Sequence, residues 1–316
     1  MTGFKFFRKL YTSVGQLRHA LAYWKNEYFH RASAAWSTQR GVTAVRRNPE
    51  LIVSLTSIPE RMDTLALCLD SLLRQSLKPD RLILWLSESN DSGRPVVNQT
   101  SLPANLLKLE RRGLEIRWCK DIRSYRKIVP TFRAHPSAII VTADDDIFYS
   151  RDWLKTLYEA YQVEPQYLHC HRAHQIRYDP AGMALPYNQW NMMANGERGP
   201  SFDLFPTGVG GVLYAPGQLH PDVLDEETFL TLCPKADDVW LKAMSLLVNI
   251  PCKKVALKSY SPMEIRIPNN RTLSSENVTL NGNDPQIRAV GDKYSIFRKD
   301  SAGAKKLGSN LNFTEI

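Results

Sequence analysis

The sequence predicts an α/β protein with a mostly parallel central sheet flanked by helices. From Leu51 onward, short apolar runs alternate with segments in which apolar residues recur every three or four positions. This alternation is typical of β-α-β units, in which a helix connects two parallel strands. The predicted strands are 51–56, 81–86, 114–119 and 138–143, and the predicted helices include 61–75 and 125–134.

The composition is that of a folded globular protein. Hydrophobic residues make up 43% of the 316 positions, which is enough for one large domain with appendages. The five cysteines are scattered and form no C-x-x-C pair, so neither a disulfide framework nor a thiolate zinc site is indicated. No apolar run approaches the roughly 18 residues that a membrane-spanning helix requires. We therefore expect a cytoplasmic protein.

The first 47 residues form a basic, aromatic arm. Residues 1–50 carry nine lysines and arginines against two glutamates, and this stretch supplies most of the net charge of +9. Apolar residues from Phe7 to Tyr28 recur at helical spacing, which predicts an amphipathic helix. Such a helix either binds an anionic membrane surface, peripherally on the inner face of the cytoplasmic membrane, or packs on the domain. Nucleic acid is not expected as a partner, because aromatic residues at this spacing suit an interface better than phosphate contacts.

Three consecutive carboxylates, Asp144, Asp145 and Asp146, follow the predicted strand 138–143. Asp144 and Asp146 project to the same side of an extended chain. Carboxylate oxygens are preferred ligands of Mg²⁺, and a cation offsets the repulsion between clustered charges. The sequence therefore predicts a divalent-cation site at Asp144 and Asp146, on the edge of the sheet where open α/β sheets bind ligands. The alternative is a helix N-cap, for which one aspartate suffices.

A second acidic pair, Asp237 and Asp238, stands at the predicted start of a helix. One interpretation is structural, because acidic residues at a helix start interact favourably with the helix dipole. The other is chemical, with one carboxylate acting as a general base on a hydroxyl group. The spacing leaves both interpretations open.

Two further segments carry candidate ligand contacts. The glycines at 208, 210 and 211 predict a tight turn against a bound sugar or phosphate, with a bulged hairpin as the alternative. His169 and His171 share one face of a strand while Cys170 faces away, which disfavours a zinc centre. These histidines are expected to line the crevice or to satisfy buried hydrogen bonds. The long loop 186–201 is expected to be a mobile lid.

Strand signals fade after residue 258. Residues 259–316 are therefore expected to form an irregular C-terminal extension with one short helix near 285–290. The predicted domains are the arm at 1–47, a catalytic domain at 48–258 and the extension at 259–316.

With its motifs in this order, the chain resembles bacterial glycosyltransferases of the GT-A fold. The resemblance is carried by residues 56–61, 121–130, 142–147, 207–216 and 236–243 and covers roughly 50–258. It is similar to family 2 enzymes that build capsule, lipopolysaccharide and other surface glycans. The resemblance implies metal-dependent transfer of a sugar from a nucleotide-sugar donor to a hydroxyl of a glycan or lipid-linked acceptor, with inversion, and with retention as the open alternative.

The resemblance also implies residue roles. Mn²⁺ or Mg²⁺ would bridge the donor diphosphate to Asp144 and Asp146. Asp238 would be the catalytic base, and Asp237 stands where the family motif has glutamate, so the choice of base lies between these two. The remaining donor contacts would be Thr56, Pro59, Arg61, Lys127 and Asp145. The acceptor or sugar contacts would be Gly210, Gly211, His171 and Trp240.

The chain departs from the family pattern in its metal ligands. Many GT-A enzymes use a C-terminal histidine, but no histidine follows His220 here. Two other classes stay open: a sugar nucleotidyltransferase, and a non-catalytic glycan-binding or scaffold protein of the same fold. The nucleotidyltransferases normally have a glycine-rich loop after the first strand, and residues 56–61 contain no glycine.

Overall fold

A computed structural model describes residues 2–89, 97–267 and 282–299, with the backbone alone for residues 2–16 and 19. It confirms the predicted α/β class, because seven of its strands form one mostly parallel sheet with helices around it. The strands β1 to β11 are, in chain order, Leu51–Thr56, Arg81–Ser87, Leu114–Cys119, Ile139–Thr142, Ile147–Phe148, Leu168–Cys170, Ala173–Gln175, Leu204–Pro206, Val212–Tyr214, Cys252–Lys254 and Met263–Glu264. The helices α1 to α8 are Thr2–Trp36, Met62–Leu73, Ala104–Glu110, Val129–Ala134, Trp153–Val163, Glu226–Leu232, Asp237–Leu247 and Asn283–Tyr294.

The strand order in the central sheet is β10-β6-β9-β4-β1-β2-β3. Strand β9 runs antiparallel to both of its neighbours, and the other pairs are parallel. The central strands β1 and β4 are apolar along almost their whole length because helices and loops cover both faces of the sheet. Sequence periodicity identified these strands correctly for that reason.

The strand register determines which loops meet at the edge of the sheet. Strands β1 and β4 are parallel, with Ser54 opposite Thr142, so the residues after both strands emerge at the same edge. Strand β9 runs in the opposite direction, with Val212 opposite Thr142, so the turn before β9 lies at that edge too. The aspartates after β4 are therefore flanked by the loop after β1 and by the glycine turn.

Helix α1 packs on α2 and α3 through one face. Tyr23 and His30 are buried, and the His30 Nδ1 atom lies 2.7 Å from a carboxylate oxygen of Asp70. Arg112 and Ser33 also bond to Asp70. Another face carries exposed apolar side chains at Leu17, Leu21, Trp24 and Tyr28. In the described part of the chain, no helix is both long and apolar enough to cross a membrane.

Two segments are more ordered than the sequence predicts. Helix α8 is longer than the expected helix at 285–290, because Ile287 and Val290 are buried against α7. The expected irregular extension therefore contains a packed helix. The predicted lid at 186–201 is likewise anchored, since Trp190 and Ala194 are buried. The buried Lys254 ammonium holds this segment by donating to the carbonyls of Met193 and Ala194.

Candidate active site

The three aspartates after β4 have different surroundings. Asp145 is buried and accepts hydrogen bonds from Ser57 and Arg61. The side chains of Asp144 and Asp146 are 26% and 22% exposed, against 7% for Asp145. Asp145 therefore fixes the loop after β1 to the loop after β4. Asp144 and Asp146 keep part of their side-chain surface exposed. We call the site formed by residues 144–146, Lys127, Gly208 and the 237–238 pair the acidic cleft.

Burial, followed by the neighbouring carboxylates of Asp145 and Asp144, raises the pKa of Asp146 to about 7. The Arg61 guanidinium acts in the opposite direction and offsets only part of this rise. This guanidinium lies 3.1 Å from Asp146 and also pairs with Asp145. One arginine thus serves two carboxylates. Negative charge in this loop is only partly compensated by the protein itself.

Lys127 connects the strand end to the start of α7. Its Nζ atom lies 3.0 Å from Asp144 Oδ1 and 2.9 Å from Asp237 Oδ2, and the side chain is almost fully buried. Burial acts to lower the pKa of Lys127, but the carboxylates of Asp144, Asp237 and Asp238 raise it well above its usual value. The ammonium group is therefore charged at any physiological pH.

Asp238 is half-buried in the first turn of α7. The amide N–H of Gly208 donates to both of its carboxylate oxygens, at 3.1 and 3.0 Å. Burial and then the Asp237 carboxylate raise the pKa of Asp238 to about 7, against the opposing effects of Lys127 and the Gly208 amide. A carboxylate with this pKa can accept a proton at neutral pH and release it again.

Gly208 is the point at which the three elements of the site converge. A Cβ atom at this position would lie 2.8 Å from Lys127 Nζ, 3.0 Å from Asp238 Oδ1 and 3.7 Å from Asp144 Oδ1. Any side chain would displace the ammonium and the carboxylate, so the close approach requires glycine. The resemblance gave the acceptor contacts to Gly210 and Gly211 of the same glycine run. A Cβ atom at those positions would instead meet Arg172 and the buried Trp153 ring.

Two other predicted acceptor residues do not open into this cleft. Trp240 is fully buried in the core, where its ring packs edge to face with Phe229 and Tyr294. Helical spacing could not show that this face of α7 points inward. His171 is buried, and its Nε2 atom lies 2.8 Å from the Trp153 carbonyl oxygen.

The predicted donor residues are arranged around the aspartates. Arg61 and Lys127 contact the aspartates directly. The Thr56 hydroxyl donates to the Trp85 carbonyl and is thereby directed into the sheet. Pro59 lines a small hollow of about 20 Å³ beside the loop after β1, together with Asp121 and Arg126.

Sequence reasoning missed Ser57, and it placed Gly208 in the glycine run without singling it out. Ser57 comes directly after the predicted strand 51–56, and the parallel pairing of that strand with 138–143 is the signal that could have placed it beside Asp145. Gly208 carried no such signal, because the spacing of the three glycines does not tell which one meets the carboxylates.

The histidines do not form a metal centre. His169 and His171 bond to the backbone carbonyls of Glu164 and Trp153, and His174 accepts from the Met193 amide. Over residues 2–89, 97–267 and 282–299, no three histidine, cysteine or acidic side chains converge as a ready set of metal ligands.

Asp144 and Asp146 nevertheless fit a divalent cation of the magnesium type. Such ions commonly take one or two carboxylates from the protein and fill the remaining positions with water and substrate phosphates. Both side chains are partly exposed, and the three consecutive carboxylates concentrate negative charge there. The donor set consists of hard oxygen atoms that suit Mg²⁺ or Mn²⁺.

Comparisons with known proteins assign no family to the chain. No family model matches it, and no curated protein matches it. Among solved structures it is similar to CMP:2-keto-3-deoxy-manno-octonic acid synthetase in complex with CTP, with 13% sequence identity and a TM-score of 0.37. The match covers 68% of this chain and 92% of that chain. A likeness at this level carries no conclusion about the reaction or about individual residues.

Proposed function

We propose that this protein is a glycosyltransferase that moves a sugar from a nucleotide-sugar donor to the hydroxyl of a glycan or lipid-linked acceptor. The observation that carries the proposal is the position of Asp238. This half-buried carboxylate, whose pKa is about 7, is held by the Gly208 amide beside Asp144 and Lys127. A base suited to a hydroxyl group thus stands next to groups suited to a diphosphate.

In the proposed reaction, Asp238 accepts the proton of the acceptor hydroxyl as the hydroxyl oxygen bonds to the anomeric carbon of the donor sugar. The bond from the anomeric carbon to the phosphate oxygen breaks, and the nucleoside diphosphate departs. Attack from the face opposite the leaving group inverts the configuration. The Lys127 ammonium and the Arg61 guanidinium stabilise negative charge near the aspartates.

We further propose that Asp144 and Asp146 hold Mg²⁺ or Mn²⁺. When bound, the cation neutralises charge on the diphosphate. Asp145 accepts hydrogen bonds from Ser57 and Arg61, so it would not be a cation ligand. The cation would then be held by the two flanking carboxylates.

Replacing Asp146 with asparagine should abolish turnover and weaken nucleoside diphosphate binding at least tenfold, because the cation loses one of its two carboxylates. Donor hydrolysis without acceptor is measured with a panel of nucleotide sugars and Mn²⁺, and affinity by calorimetry with UDP, GDP and ADP. Asp152→Asn, at an exposed aspartate just before α5, is the matched control. Unchanged diphosphate affinity in Asp146→Asn would contradict the role given to this carboxylate.

The same panel separates the proposal from its alternatives. The fold by itself fits a sugar nucleotidyltransferase at least as well as a glycosyltransferase. The position of Asp238 is the feature that favours the glycosyltransferase. A nucleotidyltransferase would release pyrophosphate from a nucleoside triphosphate in the presence of a sugar or sugar phosphate. A binding or scaffold protein would leave every donor and every triphosphate intact.

We propose that the exposed face of α1 binds an anionic membrane surface. Leu17, Leu21, Trp24 and Tyr28 are 58–78% exposed and lie on one side of the helix, three or four residues apart. Arg18 and Lys25 are exposed beside them. Apolar side chains flanked by cations are typical of helices that lie in the interface of a bilayer.

Vesicle co-sedimentation tests this surface. The protein should bind vesicles that contain phosphatidylglycerol, bind less at high salt because the cationic contribution is screened, and fail to bind when Leu21→Glu and Trp24→Glu are combined. Leu257→Glu is the matched control, since Leu257 is equally exposed elsewhere on the molecule. Equal binding of the double variant and the control would refute the assignment.

A further inference from the structure

A second polar cavity lies away from the acidic cleft. It has a volume of about 740 Å³, is open to solvent, and lies between β7, the segment after residue 186 and the start of β8. Its polar lining includes Gln175, Arg177, Asn191, Asp203 and Lys299. Neither the proposed chemistry nor the motifs of the sequence analysis use these side chains.

The cavity and the acidic cleft are at opposite ends of one β-ribbon. Strands β7 and β8 are antiparallel, with Gln175 opposite Leu204 at the cavity end and Ala173 opposite Pro206 at the other. From Asp203 the chain follows β8 directly to Gly208 at the proposed base. Five residues of extended chain span roughly 15 Å. A ligand several sugar units long could therefore reach from one end to the other.

The charged side chains of the cavity leave an excess of positive charge. The Asp203 carboxylate is already satisfied, because Lys299 Nζ donates to it at 2.6 Å and the Tyr178 hydroxyl at 3.2 Å. Arg177 is exposed, and among the described residues its guanidinium makes one long hydrogen bond, 3.4 Å to the Gln189 carbonyl. Its guanidinium thus retains most of its donors for a ligand. A planar guanidinium of this kind binds a carboxylate through two parallel hydrogen bonds.

The remaining polar lining suits a sugar. The Asn191 side-chain amide donates to Gln175 Oε1 at 3.2 Å, which orients the two amides relative to each other. Each amide keeps further polar atoms that can pair with sugar hydroxyl groups, which act as both donors and acceptors. The cavity thus combines one available cation with oriented neutral amides.

We propose that this cavity binds a carboxylate-bearing sugar unit of the acceptor glycan, several units away from the hydroxyl that reacts. This inference specifies the acceptor of the proposed glycosyl transfer. That the bound glycan is the acceptor rests on the proposed function. Arg177 pairs with the carboxylate, and the Gln175 and Asn191 amides bond to the hydroxyl groups. The acceptor class is therefore an acidic glycan.

Calorimetry of the full chain without donor tests the cavity independently of turnover. The probes are tetramers of galacturonate and of mannuronate, with neutral maltotetraose for comparison. At least one acidic tetramer should bind more tightly than maltotetraose, and Arg177→Gln should weaken its binding about tenfold. Arg111→Gln, at another exposed arginine, is the matched control and should bind like the unaltered protein.

Two results would overturn the proposal. One is that no acidic tetramer binds better than maltotetraose, and the other is that Arg177→Gln and Arg111→Gln bind equally well. Arg177→Lys keeps the charge without the two-pronged geometry, so it should bind more tightly than Arg177→Gln and less tightly than the unaltered protein. A chain that binds acidic tetramers but hydrolyses no nucleotide sugar would refute the proposed transfer and leave the glycan site standing.

Discussion

Asp238→Asn is expected to slow glycosyl transfer by roughly two to four powers of ten, the range of a general base, while donor affinity changes little. The carboxylate is held by the Gly208 amide at the start of α7, whereas the proposed cation ligands lie in the loop after β4. The amide of asparagine preserves the size of the side chain but cannot accept a proton. Steady-state kinetics with the donor identified by the panel, together with calorimetry for the nucleoside diphosphate, measure both quantities.

The dependence of kcat/KM on pH tests the role of Asp238 a second time. Because the pKa of Asp238 is raised to about 7, kcat/KM should rise as pH increases through 7 and level off above it, where the carboxylate is ionised. Asp237→Asn is the natural comparison, since Asp237 pairs with Lys127 rather than with Gly208. If Asp237→Asn loses the rising limb while Asp238→Asn keeps it, the base is Asp237.

Lys254→Met is expected to lower the free energy of unfolding by about 3 kcal/mol or more. The Lys254 ammonium lies within hydrogen-bond distance of the carbonyls of Met193, Ala194 and Leu257 and of the Ser259 hydroxyl, and its three N–H groups are shared among them. Methionine fits the space but leaves several of these acceptors without a donor, at about 1–3 kcal/mol each where they stay buried. Chemical denaturation measures the change.

Lys242→Met is the matched substitution, and its expected effect has the opposite sign. Lys242 is fully buried, and its Nζ atom has no hydrogen-bond partner in the described structure. Burial lowers its pKa from 10.5 to about 8, which corresponds to about 3 kcal/mol of destabilisation at neutral pH. Methionine removes that cost, and we expect stabilisation of about 1–3 kcal/mol.

The sign of the pH dependence follows from the lowered pKa. Between about pH 8 and 10.5 the folded state binds fewer protons at Lys242 than the unfolded state, so this cost is complete below pH 8 and fades as pH rises. The advantage of Lys242→Met should therefore be largest at pH 7 and shrink by pH 10. A loss of stability in this variant at pH 7 would show that Lys242 has a structural role.

The sequence predicted those parts of the fold that depend on local patterns. Strands 51–56 and 114–119 were placed to the residue. The first is a short buried apolar run, and the second, at the edge of the sheet, alternates apolar and polar residues. The parallel order also placed the aspartates at the edge of the sheet. It did not reveal that β9 is antiparallel, because strand direction depends on how distant segments cross over.

Site details were harder to predict because they arise from long-range contacts. The sequence identified Lys127 as a candidate, yet the partner Asp237 is more than a hundred positions away along the chain. Trp240 lies two residues after Asp238, but the helix turns it into the core. The cavity near Arg177 is lined by segments that are far apart in sequence, from β7 to Lys299. None of these segments contains a motif from which the cavity could have been predicted.

The Lys127 ammonium couples the two acidic clusters of the cleft. A single buried ammonium is shared between Asp144, at the end of β4, and Asp237, at the start of α7. A cation that binds Asp144 would compete with the ammonium for this carboxylate and leave the ammonium to the second acidic pair, where positive charge favours the ionised form of Asp238. Cation binding at Asp144 and ionisation of Asp238 are thus thermodynamically linked, and the linkage is reciprocal. In the proposed transferase, donor binding and ionisation of the base would therefore favour each other, whichever comes first.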